Sequence, residues 1–209
     1  NPKECLWAQV NQAAGGTTSN SVFSNGGMQV IFSGGIQSGV TVSGGGKLQL
    51  GGGAVVAGTT TFASGAILEI VNGYTLTVSS GQTSGGVIVG AGGREIVQSG
   101  GVASGTTINN SGIETVQGGL DLNGVISPGG RLILSSGGVA SGTVILNGGV
   151  ETVSSGGTAS GTTVSSGGAL EILGGGAYIQ SNTQFMSAAL LKIGSGAIAS
   201  GQTTSGLIM

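Results

Sequence analysis

The chain has 209 residues, 48 of them Gly, with 6% charged and 3% aromatic residues, no His, one Cys and a formal net charge of −2. That balance excludes the basic face of a nucleic-acid binder, the missing His and Cys clusters exclude the common transition-metal ligand sets, and no run approaches the roughly 18 apolar residues of a membrane-spanning helix. Gly at this level often marks disorder, but Val, Ile, Leu and Thr fill the intervals between the glycines, as strands require.

Residues 1–26 come first and read as an N-terminal cap. The opening NPKECLWAQVNQAAGGTTSN carries no repeat and holds the only Trp and the only Cys, Cys5, which is expected to pack as a small hydrophobe. A stacked repeat needs its first open edge covered, and this segment is predicted to cover it. No apolar run follows Asn1-Pro2-Lys3 as it would in a signal peptide, which suits a mature exported chain.

From residue 27 to 209 the chain is predicted to be repeats. The frame opens as GMQVIFSGGIQSGVTVSGGG from Gly27 and is clearest as GVETVSSGGTASGTTVSSGG from Gly149. The second Gly of successive doublets falls at Gly93, Gly101, Gly119, Gly130, Gly138, Gly149, Gly157 and Gly168, with lone Gly112 keeping one place, so gaps of eight and eleven alternate, with a single seven from Gly112 to Gly119, into a beat of about 19 residues. Gly inside a strand costs roughly 0.5 to 1 kcal/mol, so 48 of them there would cost on the order of 24 to 48 kcal/mol, more than a domain's stability. The glycines therefore belong at corners between short strands.

A period near 20 residues with two or three strands per period predicts a solenoid, in which only the stack buries a core. The leucine-rich-repeat consensus is absent, and the fold class is all-β, a right-handed parallel β-helix. Two interior ladders follow from the alternation of side chains: Ile31, Leu50, Val97, Val116, Leu134, Val153 and Ile172 four residues after the leading Gly, and Val42, Ile108, Ile145 and Val164 fifteen after it.

The period is broken in three places. Between Gly65 and Gly81 the gaps run eight and eight, predicting a longer coil or an extra strand; the frame shifts by one near Ser127-Pro128-Gly129-Gly130 and again from Gln180 to Ala189, where bulges or widened corners are expected. The chain stops in mid-pattern at Ser-Gly-Leu-Ile-Met, the expectation for part of a longer protein.

The units GGVETVSSGGTASGTTVSSGG and GGVASGTTINNSGIETVQGG closely resemble the repeats of the self-associating autotransporter adhesins of Gram-negative bacteria. The resemblance covers residues 27 to 176 well and the flanks loosely. It implies a surface passenger exported through the periplasm and outer membrane by a β-barrel that this sequence does not contain. Such a passenger mediates autoaggregation, biofilm formation and host-cell adhesion, its partners being itself on neighbouring cells and the host-cell surface. It also implies O-heptosylation by a cytoplasmic glycosyltransferase on Ser in SSGG and ASGTT motifs. Here those motifs place candidates at Ser135, Ser136, Ser154, Ser155, Ser165 and Ser166, and at Ser104, Ser141 and Ser160. A Ser beside a Gly corner also serves local backbone hydrogen bonds without any sugar.

Two other classes are weighed. A β-helix polysaccharide-degrading enzyme needs clustered carboxylates in a groove. Glu95, Glu114 and Glu151 share one repeat position, interrupted by Leu132, but such a stack repels itself and reads as a solvated column relieved by Arg94 and Arg131. An ice-binding solenoid needs flat Thr ladders; Thr41, Thr60, Thr107 and Thr163 share one column, yet Val144 breaks it, and alternation leaves only one outward Thr column. No cofactor, metal or catalytic residue is predicted.

Overall fold

The computed structural model describes residues 15–180 and 182–196 in full and the backbone of residues 4–6, 9–12, 198–199 and 203–204. Every regular element among them is a strand, and these strands pair in parallel. The chain divides into two compact units, residues 1–75 and 76–209.

In the first unit each coil carries one long and one short strand. Thr17–Ser24, Ile36–Val42 and Val55–Phe62 stack in register behind Glu4–Leu6, while Met28–Ile31, Lys47–Leu50 and Ile67–Ile70 stack behind Gln9–Gln12. The residues ahead of the repeat thus supply parallel pairing to the first coil. Each long strand bends at a left-handed residue, Asn20 or Gly39 or Gly58, so one strand covers two sides of the coil. The register slips beside Gly39, which pairs Thr60 with Val40 and Thr61 with Thr41. Thr60 therefore leaves the outward Thr column to which the even period assigned it, because the bulge shifts the alternation by one.

In the second unit each coil carries three strands in three parallel sheets. A complete coil runs Arg94–Gln98, Val102–Ser104, Thr107–Ile108, and the next runs Ile113–Gln117, Leu120–Leu122, Val125–Ile126. Between Gly65 and Gly81 the chain makes two successive strands, Ile67–Ile70 and Thr75–Val78, the extra strand that the broken beat predicts.

Both predicted ladders lie inside. Ile31, Val97, Val116, Leu134, Val153 and Ile172 are fully buried, Leu50 nearly so, and Val42, Ile108, Ile145 and Val164 are fully buried beside them. Branched apolar side chains stacked at coil spacing exclude water at every level, which is the main favourable term available to a chain with so few aromatics.

The two glycines of a doublet serve different ends. At Gly137 φ is +83° and the turn needs a left-handed residue. At Gly138 the need is space: a Cβ there would run into the carbonyl oxygen of Val116 on the preceding coil, and at Gly149 it would lie 2.6 Å from that of Ile126. The second glycine is the point of closest approach between coils.

The frame shift lies elsewhere than the Ser127-Pro128-Gly129-Gly130 position that the beat suggests. Gln98 pairs with Gln117, but Val102 pairs with Leu120, so the lost residue falls at the corner where Ser99-Gly100 of one coil is answered by Gly118 alone. A corner can lose a residue without breaking a ladder. Downstream, Ala159 pairs with Ile179 and Thr163 with Gln184, so two corners each gain a residue. The second of these, between Ile179 and Gln184, falls in the stretch from Gln180 to Ala189 where widened corners are expected, whereas the first lies ahead of it, at residues 173–177.

Candidate functional site

The outer surface of the second unit is built from strand positions that alternate with the buried ladders and from the corners. Ser104, Leu122, Ser141 and Ser160 occupy one register column and are half-buried. Ser136 and Ser155 sit exposed at the first corner of successive coils, with Ser135 and Ser154 half-buried before them. Ser166 is exposed at another corner, where Gly167 closes on Asn147 of the coil before, and half-buried Ser165 precedes it. The nine candidate serines therefore fall on three distinct lines around the coil.

The first corner holds more serines than the motifs show. Gly100 closes on Ser80, and Gly118 closes on Ser99 and on the Ser136 carbonyl. Ser80, Ser99, Ser136 and Ser155 thus follow one edge, interrupted at Gly118, and all four are exposed. Ser80 and Ser99 lack the full SSGG motif, and only the coil register brings them into line. Some of these hydroxyls are already engaged: Ser155 donates to the Gly175 carbonyl at 2.8 Å and Ser160 to Gln180 at 2.7 Å.

The first unit offers an open groove of about 550 Å³ along the bends of its long strands, lined by Asn20, Ser38, Gly39, Thr41, Gly58 and Thr59. It carries hydroxyls, an amide and backbone but no charged side chain, so it can offer hydrogen bonds but no ion pair.

The carboxylates overturn the expected solvated column. Glu95, Glu114 and Glu151 are fully buried, in register with Leu132 and Leu170 on one inward ladder. Asp121 is buried as well, in the register place of Ala103 and Ala140. Arg94 and Arg131 stand one residue away and face solvent, so they relieve none of the repulsion. The reason is the alternation itself: position four points inward, so position two must also.

Burial pushes every one of these carboxyls up. Glu151 rises to about 8, held back by a hydrogen bond from Thr162 at 3.3 Å and raised further by Asp121. Burial, then the nearby Glu95, raises Asp121 to about 7. Glu114 is raised well above the usual carboxylate range by burial, then by Asp121, Glu95 and Glu151. Glu95 is raised by burial, against hydrogen bonds from Ser84 at 2.6 Å and Thr106 at 3.1 Å. By contrast, the outward Glu69 and Glu171 face Lys47 and Lys192.

A family model described as the adhesin of the bacterial autotransporter system, probable stalk, matches residues 115–168. No curated protein matches the chain. Among solved structures, a TibC-catalysed hyper-glycosylated fragment of TibA aligns at a TM-score of 0.55 and 32% identity, over 95% of this chain and 81% of that one. The chain belongs to the TibA-like family of autotransporter adhesin passengers. Family membership gives the lateral surfaces their context: a passenger of this kind is a bacterial surface or exported protein. The acidic residues that a hydrolase reading would need are sealed inside or paired with lysines among the described residues, and no group of three or more His, Cys, Asp or Glu there could hold a metal ion.

Proposed function

We propose that this chain is the adhesive, non-enzymatic part of a surface passenger. In this reading it joins identical molecules on neighbouring cells into aggregates and biofilm, and it contacts host cells. The observation that carries the reading is the periodic exterior, in which Ser, Thr, Asn and Gln recur at coil spacing with almost no charge. Each hydrogen bond to a neighbouring copy is weak, but many copies per cell make the sum effective without a single tight site. Low net charge removes the repulsion that would keep like molecules apart.

The same exterior is the proposed substrate of a cytoplasmic heptosyltransferase. The TibA fragment's hyper-glycosylation by TibC supports this by family relationship. The exposed serines of the first corner, Ser136 with Ser80 and Ser99, present their hydroxyls to solvent, as an acceptor must, while the equally exposed Ser155 would first release its bond to the Gly175 carbonyl. Ser166 does so at another corner, whereas Ser104, Ser141 and Ser160 stand half-buried between neighbouring coils.

Two experiments test the proposal. Cells displaying the full passenger should settle as clumps, and a suspension as dispersed as cells carrying only the membrane anchor would refute adhesion. Intact mass of the chain co-expressed with a family heptosyltransferase should exceed that of the chain alone by whole sugar units; equal masses would refute the modification.

A further inference from the structure

The interior of the second unit repeats a three-residue theme, one inward side chain from each sheet. Three coils place Glu95 with Ala103 and Thr106, Leu132 with Ala140 and Thr143, and Glu151 with Ala159 and Thr162, all fully buried. In the two coils with a Glu, the Thr hydroxyl donates to its carboxylate, at 3.1 Å from Thr106 and 3.3 Å from Thr162. Coil 113–126 departs from the theme. It holds Glu114, but Asp121 stands where its neighbours have Ala, and Gly124 stands where they have Thr.

These two departures are one exchange. A Cβ on Gly124 would lie 2.6 Å from the Asp121 Oδ2 atom, so the Asp121 carboxyl occupies the room that the Thr side chain fills elsewhere. No hydroxyl is then left in that coil to serve Glu114. Both carboxylate oxygens of Glu114 and both of Asp121 are buried without a side-chain partner. No cation among the described residues faces them. The inward neighbours are Glu95 and Leu132 beside Glu114, Ala103 and Ala140 beside Asp121, Thr106 and Thr143 beside Gly124, and Glu151 beyond, while Arg94 and Arg131 point to solvent. Carboxylate oxygens only accept, so two of them can satisfy each other only if at least one keeps a proton to donate. Leaving both ionised would place like charges side by side out of water, which a folded core does not tolerate without compensation.

We propose that Glu114 and Asp121 share a proton as a buried carboxyl pair, so that folding of the second unit takes up protons and its core is tightest in acid. The Glu114 carboxyl donates to the Asp121 carboxylate, and the proton comes from solvent when the coil closes. The raised titration of both groups, Asp121 to about 7, accords with this. The sign is set by the direction: stability is fully present below the ordinary carboxylate range and is lost as pH rises through the folded-state values. This inference rests on the core alone and stands apart from the adhesive function.

The test restores the theme of the neighbouring coils. In the full chain, Asp121→Ala with Gly124→Thr rebuilds the Glu, Ala, Thr set, and it should fold and hold Glu114 through the new hydroxyl. Gly124→Thr alone should be strongly destabilising, because Asp121 is in the way, and Asp121→Ala alone should be destabilising because Glu114 loses its partner. Adding Glu114→Leu to the double variant rebuilds the Leu132, Ala140, Thr143 set of the next coil, and between pH 5 and 7 the unfolding constant of the wild type should climb with pH up to tenfold per unit more steeply than that of this triple variant, which has one linked proton fewer. Infrared spectra of the wild type at neutral pH should show a protonated-carboxyl stretch that weakens in Glu114→Gln, a shape-conserving change that replaces the proposed proton donor with an amide donor and is readable even if the other variants fail to fold. Equal pH slopes in wild type and triple variant, or a Glu114→Gln spectrum with the protonated-carboxyl band undiminished, would overturn the shared proton.

Discussion

Glu151 offers the most direct measure of what the buried acids cost. Its register neighbours are Leu132 and Leu170, both fully buried, so Glu151→Leu continues a ladder that already accepts that side chain. The carboxyl's folded-state value of about 8 lies above its ordinary 4.5, so the folded chain at pH 7 holds a proton that the unfolded chain has released. At 1.36 kcal/mol per unit, that difference costs the wild type about 3 kcal/mol at pH 7. Removing the acid also strips Thr162 of its acceptor, a loss of about 1 kcal/mol. The variant should therefore be about 2 kcal/mol more stable at pH 7, close to wild type near pH 5, and about 4 kcal/mol more stable above pH 8. Denaturant unfolding followed by circular dichroism at these pH values measures the difference. A variant less stable than wild type at pH 7, or a difference that does not grow between pH 5 and 8, would refute the reasoning.

The glycine doublets make a paired prediction: Gly137→Ala, where φ is +83° but nothing lies within 4 Å of a new Cβ, should cost about 1 to 2 kcal/mol, whereas Gly138→Ala, which drives a Cβ into the Val116 carbonyl, should cost at least about 3 kcal/mol. Denaturation midpoints rank the two, and the reverse order would count against the close-approach account. For the modification, Ser136→Ala with Ser155→Ala should lower the mass added by a heptosyltransferase by two sugar units while changing stability by only about 0.5 kcal/mol. Across the whole chain, thermal midpoints should fall as pH rises from 5 to 8, because every shifted carboxyl moves upward.

Much of the fold was legible in the residues. The 19-residue beat, the corners and both apolar ladders follow from periodicity, since Val, Ile and Leu recur at places where a two-residue alternation must point inward. The glycines were read as turn residues, which holds for Gly137. It does not hold for Gly138, whose constraint comes from the coil before and is invisible in a single chain segment. The extra strand between Gly65 and Gly81 was legible because it adds residues to the beat. The shortened corner at Gly118 is harder to place from sequence, because the short gap from Gly112 to Gly119 registers a lost residue without saying which corner lost it. The candidate serines were found from motif spelling. Their separation into three lines, and the alignment of Ser80 and Ser99 with Ser136 and Ser155, needed the register.

The acids mark the boundary between what sequence and tertiary structure decide. The alternation that buries Val116 also buries Glu114, yet a carboxylate's preference for water argued for the opposite face. One residue's period cannot be reversed without turning its neighbours out, and the ladder of aliphatic side chains outweighs the cost of a few carboxyls that can keep their protons. Sequence by itself determined the repeat, the strands and the solenoid, because those depend on local pattern. Only the tertiary structure decided that Asp121 fills the space left by Gly124 beside Glu114, because that arrangement depends on three strands meeting across a core.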